Sequence, residues 1–175
     1  YPDAVKNLTV LDIVPTHTVF RDAGKDLAAA YWHWFFFQVP DLPEIMLANS
    51  AEPFLRNMFR ALCFRQDAIE EPMFAEYLRA FTLPGTIRAG LEDYRAAATV
   101  DLADDERDLG KKLSCPVLAI WGEHGKMHAL FDVLGTWNEK ATDVRGNPLP
   151  CGHFIPEEAP QELSRELIPF LGQSR

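Results

Sequence analysis

His153 has the residue type and the setting of a general base. It follows Gly152, and a glycine there allows a tight turn from which an imidazole projects without a Cβ clash. The residues that come next, Glu157, Glu158 and Pro160, are favoured in the first turn of a helix. These neighbours predict a histidine held on a short loop before a helix, although a Gly-His pair alone is more often a loop without a function.

Asp12 has the setting of an acid that would orient this histidine. It lies in a β-branched apolar run, residues 7–15, which predicts a buried parallel strand that ends with Asp and Pro. Asp12 and His153 would then both follow strands, and the carboxyl ends of parallel strands meet at one edge of a sheet. A carboxylate that fixes the tautomer of an imidazole is the supporting pair of a nucleophilic triad. The alternative is an Asp that only caps the following turn.

The elements that must position this pair are strands separated by a long helical segment. From about residue 16 to residue 109 apolar side chains recur at helical spacing, with predicted helices over residues 28–37, 54–63, 73–81 and 87–98. The acidic residues 101–108 predict a solvated link. The rest of the chain predicts strand, helix, strand and helix, at residues 111–122, 127–140, 143–145 and after His153.

This order predicts an α/β fold in which parallel strands with flanking helices carry an inserted, all-helical lid. We expect residues 1–15 to form a core strand with the acid, residues 16–109 to form the lid, and residues 110–175 to complete this part of the core.

Composition limits the class of partner. The 175 residues are 47% hydrophobic and carry a net charge of −9, which disfavours nucleic acid and anionic membranes as partners. Apolar runs stay shorter than the about 18 residues that cross a bilayer. The odd count of cysteines, without CxxC spacing, indicates no disulfide framework and no metal site, and it favours a reducing cytoplasm. We expect no cofactor.

Four segments of the sequence resemble the α/β-hydrolases and, among them, the haloacetate and fluoroacetate dehalogenases. They are residues 11–16, 31–36, 90–96 and 152–160. The histidine segment is common to the superfamily, whereas His33-Trp34 in the lid together with Asp12 after a strand is more specific. The resemblance implies the carboxyl-terminal half of an α/β-hydrolase fold with its lid, and a small halogenated carboxylic acid as substrate.

The resemblance also implies roles for individual residues. In that family an aspartate displaces the halide to form an ester, which water activated by histidine hydrolyses. Asp12 would be the triad acid, His153 the base, and His33 with Trp34 the halide-binding pair. A third family donor, a tyrosine, corresponds to Thr99 here, which favours haloacetates in general over fluoroacetate. Glu123 remains an alternative acid.

The sequence also departs from the family pattern. It contains no Gly-x-Asp-x-Gly or Gly-x-Ser-x-Gly stretch that would present a nucleophile. We therefore expect the nucleophile to come from an amino-terminal half outside these residues, and the chain alone to be inactive. An unpaired sheet edge would then favour a homodimer or other association. Two alternatives remain, an interaction module without activity and an epoxide hydrolase that polarises its substrate with lid tyrosines, of which the candidates are Tyr31, Tyr77 and Tyr94.

Overall fold

Three parallel strands form the sheet, and their order across the sheet is their order in the chain. In a computed structural model that describes residues 4–172, β1 spans Leu8–Leu11, β2 spans Val117–Gly122 and β3 spans Val144–Leu149. Every residue of β2 is buried, as expected of a central strand that is covered on both faces. The three predicted strands are confirmed. β3 runs further than predicted because Pro148 lies at an edge of this sheet, where a missing N–H donor is tolerated.

Helices fill the two connections and follow the last strand. Between β1 and β2 lie α1 to α7, which span Thr16–Arg21, Lys25–Ala30, Trp32–Phe36, Leu42–Leu62, Glu71–Phe81, Thr86–Ala97 and Val100–Arg107. Between β2 and β3 lie α8 and α9, which span Lys126–Leu130 and Val133–Lys140. The described chain ends with α10 and α11, which span Ile155–Glu158 and Pro160–Leu171. Among residues 4–172, no helix combines the length and the apolar character needed to cross a bilayer.

Two helix predictions need correction. The predicted helix over residues 28–37 is divided at Tyr31, whose φ of −121° and ψ of 42° end α2 and begin α3. The side chain of Tyr31 packs into the core with sheet residues, and this burial overrides helix continuity. The helix expected over residues 127–140 is likewise two helices, because Asp132 caps α9 by accepting the N–H of Gly135.

The acidic segment 101–108, expected to be a solvated link, is largely the helix α7. This helix packs against α1 and α6. Leu102 and Asp105, which are half-buried and one turn apart, lie on its inner side, and the Asp105 carboxylate accepts the N–H of His17 at 3.2 Å. The other acidic residues of this segment therefore lie on the exposed face of a helix.

Side chains alternate between the two faces of β2 and so supply two cores. Ala119 and Trp121 pack with Val14, Leu27 and other residues of the first core, whereas Leu118 and Ile120 pack with α10 and α11 in the second. A third apolar cluster lies in the lid, around Phe37, Leu47 and Leu91. The sheet and the lid thus each have their own packed interior.

Candidate active site

Asp12 and His153 form a hydrogen-bonded pair at the carboxyl edge of the sheet. Oδ2 of Asp12 lies 2.6 Å from Nδ1 of His153, and the Asp12 side chain is fully buried. An ionised carboxylate only accepts hydrogen bonds, so Nδ1–H of the imidazole donates and Nε2 carries the lone pair. About a third of the His153 side chain is exposed. The pair therefore has the arrangement of a base with its orienting acid.

The position of Asp12 is fixed by the backbone of both neighbouring strands. Its N–H donates to the Ile120 carbonyl at 2.8 Å, which extends the β1 ladder by one residue. Its φ of 47° is left-handed, a conformation that Asp adopts more readily than most residues. Oδ1 then accepts the N–H of Gly122 at 3.1 Å. The carboxylate is held at both oxygens and turned toward the histidine.

Two glycines allow three chain segments to meet around His153. A Cβ on Gly122 would lie 2.1 Å from the Gly152 carbonyl oxygen, and a Cβ on Gly152 would lie 2.5 Å from the Leu62 carbonyl oxygen. Gly152 does not have a positive φ in the described chain. Its small size serves the close approach of the lid backbone, a reason more specific than the tight turn expected from sequence.

Buried polar side chains of the lid lie within electrostatic range of this pair. His33 and Tyr31 are 6% and 3% exposed, and His33 Nδ1 and the Tyr31 hydroxyl have no hydrogen-bond partner within residues 4–172. The ring of Tyr94 lies 6.0 Å from that of His33 and 5.8 Å from that of Trp34, centroid to centroid. Unpartnered buried polar groups cost about 1–3 kcal/mol each, so they indicate a place that a ligand or water completes.

Burial sets the charge state of these lid residues. Together with smaller contributions from the nearby His153 and Lys126, it lowers the pKa of His33 to about 4. The imidazole of His33 is therefore neutral near pH 7 and carries one N–H. Burial, with a smaller contribution from the Asp12 carboxylate, raises the pKa of Tyr31 above its ordinary value. Its hydroxyl remains a donor over the working range of pH.

Other candidates from the sequence are not brought to the pair. Thr99 is exposed, and its hydroxyl donates to the Arg95 carbonyl at 2.7 Å, because it lies at the end of α6 where carbonyls lack helical partners. The carboxylate of Glu123 lies 3.2 Å from His124 Nε2, not at His153. The hydroxyl of Tyr77 donates to Glu157.

Neither thiol close to the histidine loop is suited to act as a nucleophile. Burial, with smaller contributions from nearby carboxylates that include Glu158, raises the pKa of Cys63 and of Cys151 to about 12. Since the thiolate is the reactive form of cysteine, both are inert at neutral pH. Among the residues that the structure describes, no group of three His, Cys, Asp or Glu side chains is arranged to hold a metal ion.

Sequence reasoning missed the bonds made by Glu158, the most buried acid beside His153. Its carboxylate accepts four backbone N–H groups, two of them from the end of α4 in the lid. Sequence showed only an acid in the first turn of a helix, which is common at exposed helix starts. The sequence signal that could have revealed these bonds is the pair of adjacent acids, because the helix dipole needs at most one of them.

Comparison with known proteins shows what this chain is similar to. No protein-family model matches it. It is 34% identical to a fluoroacetate dehalogenase of Burkholderia sp in an alignment of 177 positions that covers 100% of this chain and 58% of that protein. It is 32% identical to a soluble epoxide hydrolase of Corynebacterium sp. in an alignment of 181 positions that covers 99% of this chain and 60% of that protein.

A solved structure gives the same result for the fold. A protein of Nostoc sp assigned to the α/β-hydrolases superimposes with a TM-score of 0.95 at 47% identity, over 99% of this chain and 60% of that one. The chain thus spans about three fifths of the length of the relatives it matches. The resemblance to α/β-hydrolases and the predicted fold class, a partial α/β-hydrolase fold with a helical lid, are confirmed.

Proposed function

We propose that this chain, which has part of the α/β-hydrolase fold and hydrolases as homologues, supplies the base, its acid and the lid of a haloacetate dehalogenase. In the proposed enzyme a carboxylate from a segment outside these residues is the nucleophile. The substrate is a small 2-haloacid such as chloroacetate, and the products are glycolate and halide.

The proposed reaction has two steps. In the first, the nucleophilic carboxylate oxygen attacks the carbon that bears the halogen, the carbon–halogen bond breaks, and the halide leaves with the bonding electrons. In the second, Nε2 of His153 takes a proton from water, and the hydroxide attacks the carbonyl of the enzyme ester. The buried charge of Asp12 stabilises the imidazolium that forms. The bond between the carbonyl carbon and the glycolate oxygen then breaks, the imidazolium returns its proton to that oxygen, and the nucleophilic carboxyl group is free again.

The main support for the halide proposal is the environment of His33. Its imidazole is almost fully buried, neutral near pH 7, and unpartnered at Nδ1 within residues 4–172. It lies next to Trp34, whose indole N–H can only donate. Donors in a dry site stabilise a halide whose charge grows in the transition state, and this stabilisation is larger than in water. Tyr94, packed against both rings, shapes this site in place of Thr99.

One observation favours epoxide hydrolysis as a second candidate. The buried hydroxyl of Tyr31 has no partner in the described chain and lies close enough to Asp12 for the carboxylate to raise its pKa. A tyrosine hydroxyl can donate to an epoxide oxygen as the ring opens. Tyr77 does not have this freedom, because its hydroxyl is bonded to Glu157.

The test compares halide release with epoxide opening. The chain is joined to the upstream segment of its own coding sequence and assayed with chloroacetate, fluoroacetate and styrene oxide. We expect chloride release, and His33→Phe should lower kcat by roughly 10²–10³-fold, the effect of losing one transition-state donor. Trp32→Phe, at an exposed position of the same helix, is the matched control and should leave kcat unchanged. Epoxide opening without halide release would refute the proposal in favour of the second candidate.

We further propose that the open edge of β1 associates with the nucleophile segment or with a second copy of the chain. In the described part, β1 pairs with β2 on one side only. An open edge of this kind is a template for pairing. Size-exclusion chromatography with light scattering tests this, and a compact monomer of the isolated chain would contradict it.

Three free cysteines are compatible with the reducing cytoplasm proposed for the protein.

A further inference from the structure

Glu158 joins the histidine loop to the lid. Its side chain is fully buried at the end of α10, five residues after His153. Oε2 accepts the N–H groups of Phe64 and Arg65, both at 2.8 Å, and Oε1 accepts the N–H of Phe154 at 3.1 Å. Oε2 also accepts a fourth N–H at 3.0 Å, from the glycine that precedes His153. The donors thus come in two pairs, one in the lid and one flanking the histidine.

The contact between the two segments continues on both sides of the carboxylate. The N–H of His153 itself donates to the Leu62 carbonyl at 3.1 Å, at the end of α4. The guanidinium of Arg65 donates to the backbone carbonyl of Glu158 at 2.8 Å. The rings of Phe59 and Phe154 meet at 5.0 Å, one from each segment. Hydrogen bonds and a ring contact therefore join the end of α4 to the histidine loop.

The bonding pattern requires a carboxylate. Four backbone N–H groups converge on two oxygens, and an ionised carboxylate offers acceptor sites on both without any donor. A glutamine would keep one oxygen and turn an NH₂ group toward an N–H. Since three donors share Oε2, the amide nitrogen would face Phe154, directly beside the base.

We propose that Glu158 is a positioning residue, which makes the orientation of His153 toward Asp12 depend on the docking of the lid through the end of α4. Asp12 holds the imidazole by its ring, and Glu158 holds the backbone on either side of it. A lid that separates from the core must break the Phe64 and Arg65 bonds and release the loop. This inference rests on the proposed role of His153 as the base.

The neighbouring acid provides a matched control. Glu157 also bonds to the lid, through the hydroxyl of Tyr77 in α5. Neither the Glu157 carboxylate nor the Tyr77 hydroxyl is bonded to the backbone N–H groups that flank His153. Tyr77→Phe therefore removes one bond between lid and core without disturbing the histidine loop, whereas Glu158→Gln places an NH₂ group against the N–H of Phe154 beside His153.

The experiment records the low-field proton resonance of His153 Nδ1–H in the 175-residue chain, which needs no activity. We expect this resonance in the parent and in Tyr77→Phe, and its loss or marked upfield shift in Glu158→Gln, with the amide resonances of β2 retained. An unchanged resonance in folded Glu158→Gln, or equal changes in both variants, would overturn the inference alone. A parent without the resonance would overturn the Asp12–His153 pair and the proposed base as well.

A second variant covers the case in which Glu158→Gln does not fold. Glu158→Asp keeps the charge but shortens the side chain by one methylene, so its oxygens retract from the Phe64 and Arg65 N–H groups. We expect a partial upfield shift of the His153 resonance in this variant. If the His153 resonance of Glu158→Asp has the same position as in the parent, the inference is overturned.

Discussion

Oδ2 of Asp12 lies 2.6 Å from Nδ1 of His153, although the two residues are 141 positions apart in the chain. Both follow parallel strands, and β1 and β3 flank β2, so the sheet brings their carboxyl ends together. The other oxygen of Asp12 is held by the N–H of Gly122 at the end of β2. The pair is thus a product of sheet topology and local backbone geometry together.

Replacing Asp12 with Asn should remove the charge and keep the left-handed backbone that Asn also tolerates. Without the carboxylate the imidazole loses its preferred tautomer, and we expect kcat of the completed enzyme to fall by roughly 10⁴-fold. The low-field His153 resonance of the 175-residue chain should disappear while the chain stays folded. Retention of both turnover and resonance would exclude Asp12 as the acid, whereas Glu123→Gln should change neither.

His33 should make the chain less stable in acid. Its pKa is about 4 when folded and 6.5 ordinarily, so below pH 6.5 the unfolded chain binds a proton that the folded chain does not. The free energy of unfolding should therefore decrease as the pH falls from 6.5 toward 4, by up to about 3 kcal/mol. Urea unfolding at several pH values should show a smaller loss in His33→Phe than in the parent. Equal losses in the parent and in His33→Phe would contradict the assignment.

Two glycine substitutions should change stability in opposite directions. A Cβ at Gly152 would meet the Leu62 carbonyl oxygen at 2.5 Å, so Gly152→Ala should destabilise the chain by about 1–3 kcal/mol. Gly90 lies in α6 with nothing within 4 Å of its added Cβ, and Gly90→Ala should stabilise by about 0.5–1 kcal/mol. Denaturant midpoints measure both. A neutral Gly152→Ala would show that the loop and the lid are not in close contact.

The meeting of Asp12 and His153 was predictable from sequence because each position depends on local patterns, a strand that ends in Asp and a turn that begins with Gly-His. The break at Tyr31 was not, since its ring leaves the helical register to fill the core beneath the sheet. Nor were the bonds of Glu158, because two of its donors lie more than 90 residues away. Long-range partners of this kind leave no periodic trace in the sequence.

The most direct test of the central claim, that His153 is the base of the ester-hydrolysis step, is mass spectrometry of His153→Asn in the completed enzyme after incubation with chloroacetate. Alkylation does not need the base, so we expect a carboxymethyl ester on an aspartate, cleavable by mild alkali, in the variant and not in the parent. The alkali-stable thioethers that chloroacetate forms with cysteines provide an internal comparison. Continued turnover without an accumulated ester would contradict the account.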